Sequence, residues 1–247
     1  VKEAGHAIES HTSTHLHTEI PGWQSIEWEY TEAIKQIKAG VPEHQARFLA
    51  YPGGVNSKLN DRNVAAKYYL AARGGRGVPN PANQIDYLGT SAMSKPALDD
   101  PKVPFADIRN LFNPTHRAYR GWAILLYHGV NNKANEEKFF DFYKTNSAQL
   151  WGATFGDVAL YGQERDTATL KVAENSGNRI TFNLTDLMDD RYYTFPLTVK
   201  VRLPEAWKST KATQAGKTIE SRIIEHEGAK YALVKAVPDK GVVALVP

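Results

Sequence analysis

The sequence contains no cysteine. That excludes disulfide staples, thiolate metal ligands and a cysteine nucleophile, and leaves His, Asp and Glu to hold any metal. It has no apolar run approaching the roughly 20 residues that span a bilayer, since the stretch from Ala123 to Tyr127 is only strand-length. No charge dominates: 30 Lys and Arg face 27 Asp and Glu, a net charge of +3. Without a basic cluster, that balance gives no reason to expect nucleic acid as a partner. Internal repeats and low-complexity tracts are missing too. The N-terminus has neither a start methionine nor the basic segment, apolar run and cleavage site of a signal peptide. What is there is a chain of 247 residues with 42% hydrophobic composition, enough for one large domain or two modest ones.

The opening residues Val1 to Gly5 read as the last turn of a helix closed by a glycine. A helix stub cannot nucleate alone, so the fold is expected to begin upstream. His6 to His11 reads as a short strand running into the polar cluster His11 to His15, with a turn at Pro21 and Gly22. Ser25 can cap a helix that aligns Ile26, Tyr30, Ala33, Ile34 and Ile37, with Gly40 just past its end. Arg47 to Tyr51 predicts a strand stopped by Pro52, Gly53 and Gly54, followed by a helix over 61–67 and a strand over 68–72. The Gly- and Pro-rich segment 74–114 predicts a long functional loop, and Trp122 to Tyr127 a strand buried on both faces. Helices are expected over 136–147 and 155–164. This alternation points to an α/β layer or barrel. From Arg165 the texture changes to short β runs over 169–173, 179–184, 197–203 and 231–237, the pattern of an antiparallel sandwich or small barrel. The boundary is expected near Gly162 to Asp166, giving units over 1–163 and 164–247.

His11 and His15 are four apart, so on one tight turn both imidazoles can face a common point. They read either as ligands of a divalent metal or as hydrogen-bonded histidines, with His6 and His17 crowding the same region. His128 follows an apolar strand, either as a polar terminus or as a catalytic group at a strand's carboxyl end. Trp23, Tyr51 and Trp151 read as sugar-stacking platforms or as half-buried packing.

The string from Glu3 to His15 closely resembles the second motif of the polysaccharide deacetylase family, the NodB-homology group or carbohydrate esterase family four. There a G-H-E-I-like strand runs into H-[ST]-x-x-H. Ala7 replaces the usual acidic residue. Phe48 to Gly54 resembles a variant of the third motif, and Leu125 to Gly129 the fifth, L-x-H. Trp151 to Val158 resembles the closing helix. The first motif, T-F-D-D, has no counterpart before His11, and the fourth cannot be placed, with Asp86 standing in for its acid.

This resemblance, which covers roughly Val1 to Glu164, implies an α/β fold, an incomplete or distorted (β/α) barrel; the small all-β sandwich-like domain that follows lies outside it. It implies a secreted metal-dependent hydrolase, extracellular or periplasmic, that removes N- or O-linked acetyl groups from a polysaccharide. His11 and His15 would hold zinc, with cobalt or nickel also suitable, and His128 would be the general acid. The Gly53 amide, in the turn with Tyr51 and Pro52, would help stabilise the oxyanion, and Leu126 would close around the methyl group. Ala50 stands where the family carries the Arg that pairs with a catalytic aspartate, so Arg73 or Arg47 would fill that role, with the aspartate coming from a missing N-terminal segment or companion chain. The competing expectations are a non-catalytic carbohydrate-binding protein of the same fold and a structural cell-surface module.

Overall fold

In the computed structural model the described residues are 2–16, 25–54, 59–75, 77–94, 105–129 and 133–247. They divide into two units, Val1–Ala159 and Leu160–Pro247. His17, Trp23 and the Pro21-Gly22 turn lie outside the described residues.

The first unit is built on short parallel strands. Ser25 caps α1 (Ile26–Gly40) by accepting the Trp28 amide on its hydroxyl oxygen at 3.1 Å. Gly40 is the helix's last residue rather than the one after it. α1 turns Ile26, Tyr30 and Ala33 inward. β1 (Phe48–Ala50) pairs in parallel with β2 (Ala71–Arg73), and α2 (Leu59–Tyr68) makes the crossover. Tyr68 therefore ends a helix instead of opening a strand. Ile26, Tyr30, Leu49, Tyr51, Ala65, Tyr69 and Ala72 close one core around these elements.

The long segment after Gly74 carries structure of its own. β3 (Ala92–Ser94) pairs in parallel with β4 (Ile124–Leu126), and α3 (Ala106–Arg109) continues into a 3-10 turn over Asn110–Phe112. Met93, Phe105, Ile108, Leu111 and Ala118 pack with Phe142 of α4 (Lys133–Asn146) as a second core. The buried Asn80 ties this region together. Its backbone exchanges hydrogen bonds with Trp122, and its side chain donates to the Ser91 carbonyl and accepts the Ser91 amide, each at 2.8 Å.

Isolated parallel bridges, Ser10 to Leu49 and Arg73 to Thr90, extend this arrangement. Segments through Ser10, β1, β2, Thr90 to β3, and β4 thus all run the same way. A (β/α) barrel needs about eight strands closed on one another. Among the described residues there are instead two two-stranded parallel sheets, and no barrel forms. The expected strand from His6 to His11 reduces to Ser10 alone, because the Glu9 carboxylate takes the amides of Arg47 and Phe48 at 2.7 and 2.9 Å where a ladder would have run.

α5 (Phe155–Thr167) leads into the second unit, which is antiparallel. β5 (Thr169–Ser176), β6 (Arg179–Thr185), β8 (Lys211–Gln214), β9 (Lys217–Thr218) and β12 (Val243–Val246) form one sheet in the order β5-β6-β12-β8-β9. β7 (Leu197–Arg202), β10 (Ser221–His226) and β11 (Ala229–Ala236) form the other. Along β8, β11 and β12 alternate residues face inward, as period-two strands require. Ile180, Phe182 and Leu184 meet Ala232, Val234 and Ala236 in one cluster with Val243, Leu245 and Trp207.

Candidate functional site

Ligand-binding groups in open parallel sheets gather beyond the carboxyl ends of the strands. Here that edge carries His11, one residue after the Ser10 bridge; Tyr51, one after β1; Arg73, the last residue of β2; and His128, two after β4. His11 is tied down closely. Ser10 donates its amide to Phe48 and accepts the amide of Ala50, while its buried hydroxyl takes the Tyr69 hydroxyl at 2.7 Å. The His11 Nδ1 donates to the Ala50 carbonyl at 2.6 Å, which fixes the tautomer and leaves Nε2 with its lone pair free.

The chain then turns sharply. Thr12 and His15 both have positive φ, 67° and 64°, a region uncommon outside glycine and rarest for a β-branched residue such as Thr12. The result sets the two imidazoles edge to face, with ring centroids 4.9 Å apart and planes at 80°. Burial pulls the His11 pKa below the ordinary imidazole value. The Ala50 carbonyl opposes this, and the positive charges of His15, Arg73 and His128 add to it. Arg73 is itself partly buried, and burial lowers its pKa from the usual guanidinium value. Among the described residues no carboxylate pairs with it.

His15, His128 and Arg73 each lie close enough to His11 for their charges to act on it. The other anticipated residues are placed differently. Tyr51 is 2% exposed, with its hydroxyl donating to the Leu88 carbonyl, so it is packing rather than a sugar platform. Pro52 is buried, and Gly53 adopts φ 63° in a 3-10 turn. Leu126 ends β4 opposite Ser94. Asp86 forms an ion pair with Arg62. Trp151 is exposed, but it precedes α5, whose Phe155 packs on Phe48 and Trp122 at the opposite, amino ends of the strands.

Sequence reasoning missed Glu9, Ser10, Tyr69 and Glu29, which hold the histidine turn in place. Glu29 left one signal: an acid on the inward face of an amphipathic helix, where charge is rare unless paired.

A metal-bound imidazole typically donates its other ring nitrogen to a carbonyl or carboxylate, as His11 does. An open zinc site takes three protein ligands. Among the described residues no group of three or more His, Asp or Glu converges to hold a metal. The two imidazoles alone leave such a shell incomplete.

A parallel-strand unit with a histidine and arginine cluster at its carboxyl edge, followed by an antiparallel β unit, is what the geometry defines. The chain is similar to a gellan lyase of a Bacillus species, with 37% identity over 273 aligned positions covering 98% of this chain. Those positions are 11% of that protein, so the chain spans only a small part of its relative's length. No protein-family model matches the chain.

These findings overturn the polysaccharide deacetylase resemblance, and with it the acetyl-removing hydrolase, the esterase class and the sugar-binding remnant of that fold. The resemblance rested on short strings around His11, Gly53 and His128, each only a few residues long. The similarity to a lyase runs through nearly the whole chain, both units included.

Proposed function

We propose that this chain is one segment of a larger polysaccharide-degrading protein of the lyase kind, and that the cluster of His11, His15, Arg73 and His128 is where its first unit meets the polysaccharide. The observation that carries this reading is the similarity to a gellan lyase along 98% of the chain. No helix among the described residues is long and apolar enough to cross a membrane. A polymer does not cross a bilayer unaided, so the reading also places the protein outside the cytoplasm.

A lyase breaks a sugar–oxygen bond by elimination. A base takes a proton from carbon, the released electron pair forms a carbon–carbon double bond, and the bond to the leaving oxygen breaks as that oxygen gains a proton. His11, held neutral with Nε2 free, is the natural base. Arg73, without a carboxylate partner among the described residues, would pair with an acidic substituent of the polymer and stabilise the negative charge that develops beside it. His128 would supply the proton to the leaving oxygen.

The test is retention of the chain in gellan-containing gels, with incubation to follow loss of viscosity and the appearance of unsaturated chain ends. Wild type is expected to be retarded, and Arg73→Met to run freely. Equal mobility of the two proteins, with no cleavage by either, would overturn the proposal. Retardation without cleavage assigns the cluster to holding polymer for chemistry done elsewhere in the larger protein.

A further inference from the structure

Glu29 is the one fully buried carboxylate on the inward face of α1, beside Ile26, Tyr30 and Ala33. A charge taken out of water is costly unless hydrogen bonds replace its hydration. Its oxygens are well supplied. Oε2 accepts the amides of Ser13 and Thr14 at 2.9 and 2.8 Å, and Oε1 accepts the Thr14 hydroxyl at 2.6 Å. All three donors lie on the turn between His11 and His15.

We propose that Glu29 is the positioning residue of the cluster, clamping the Ser13–Thr14 turn so that the His15 ring is held against the His11 ring. Thr12 and His15, both at positive φ, flank the clamped pair. Such conformations persist only where surrounding contacts over-determine them. On the His11 side, the Ser10 bridge and the bond to Ala50 provide those contacts. On the His15 side the described contacts to the turn come from α1, from Glu29 and from Gln36, whose amide donates to the Ser13 hydroxyl at 3.1 Å. Gln36 acts at the surface, through one neutral bond. Glu29 makes three charge-assisted bonds in the interior, the stronger kind. A carboxylate accepts and cannot donate, so it matches a set made wholly of donors. An amide in its place would turn an NH2 group toward one of them.

This inference rests on the reading of the cluster as the polysaccharide site, and its test separates the two. In Glu29→Ala the protein is expected to keep its helical signal and its cooperative unfolding. The nuclear Overhauser contact between the His11 and His15 rings disappears. The His11 titration midpoint rises toward the ordinary imidazole value as His15 moves off. Gellan affinity falls at least about tenfold, a difference of about 1.4 kcal/mol. Glu29→Gln, with one acceptor and one mismatched donor, falls between, and it carries the experiment if the alanine variant does not fold. A folded variant that keeps the ring contact and the His11 titration overturns the role of Glu29. The imidazole measurements need no polysaccharide, so a wild-type chain that never binds gellan fails the functional reading without touching this one.

Discussion

His11 donates from Nδ1 to the carbonyl oxygen of Ala50 at 2.6 Å, joining the histidine turn to the last residue of β1. This bond decides which ring nitrogen faces the cluster. His11→Ala is expected to cost about 1 kcal/mol in stability, the usual net value of one such bond. It should also abolish cleavage by any longer form of the protein that has it. Chemical denaturation and the yield of unsaturated ends check the two effects separately.

Arg73 sits across the strand pair from Ala50 and lowers the pKa of His11 by its charge. Arg73→Met removes that charge, so the His11 midpoint should rise toward 6.5, its ordinary value. Arg73→Lys keeps the charge but not the planar fork, and should restore part of the gellan retention. Imidazole proton shifts followed against pH, and gel mobility, test both expectations.

The depressed pKa of His11 also carries a stability signature. The unfolded chain takes up this proton first as pH falls below 6.5, so the contribution is complete above that value and declines as pH drops through the folded midpoint. Wild type should therefore lose stability relative to His11→Asn as pH falls from 7 to 5, by denaturant titration at each pH.

Glu164 in the second unit carries the opposite sign. It is fully buried, and both its oxygens accept the Phe195 amide, at 3.0 and 3.1 Å. Burial raises its pKa from 4.5 to about 7; the Phe195 bond opposes this, and Asp186 and Asp190 add to it. The folded state holds this proton more tightly, so stability falls as pH rises from 4.5 to about 7, with a slope of at most about 1.4 kcal/mol per pH unit. Glu164→Gln should flatten that part of the profile for the second unit, as thermal unfolding against pH will reveal.

Gly121 leaves no room for a side chain. A Cβ there would stand 2.2 Å from the Asn80 carbonyl oxygen and 2.8 Å from that of Ala118, both backbone atoms. Gly121→Ala should cost about 2 kcal/mol or more by forcing the Asn80–Trp122 pairing apart. Amide exchange at Asn80 and Trp122 should speed up with the loss of stability.

The sequence made the helix around Ile26 legible, because the Ser25 cap and the apolar spacing there agree with the tertiary burial. It also pointed to His11, His15, Arg73 and His128 as candidates. It did not reveal β3, since Ala92, Met93 and Ser94 lie in a Gly- and Pro-rich stretch and gain strand geometry only by pairing with β4. The strands β8, β10 and β12 were missed for a similar reason. Their partners, not their own alternation, define them. The supports of the histidine turn were hidden more deeply. Glu9, Glu29 and Tyr69 act through bonds to backbone atoms or hydroxyls at sequence separations of 15 to 59, which no local pattern records. The deacetylase resemblance failed because short strings describe a turn and a strand end, features that unrelated chains reach independently.

Thr90 gives the cluster a mechanical character. Its hydroxyl and amide both donate to the Ala72 carbonyl, at 2.9 and 3.2 Å, and its own carbonyl takes the Gly74 amide at 2.8 Å. With the Gly77 amide donating to the Ala92 carbonyl at 3.1 Å, this rung joins the strand pair that carries Arg73 to the pair that precedes His128. Arg73 and His128 thus stand on opposite sides of a seam that Thr90 helps to hold. A shift along this seam would therefore change the spacing between Arg73 and His128.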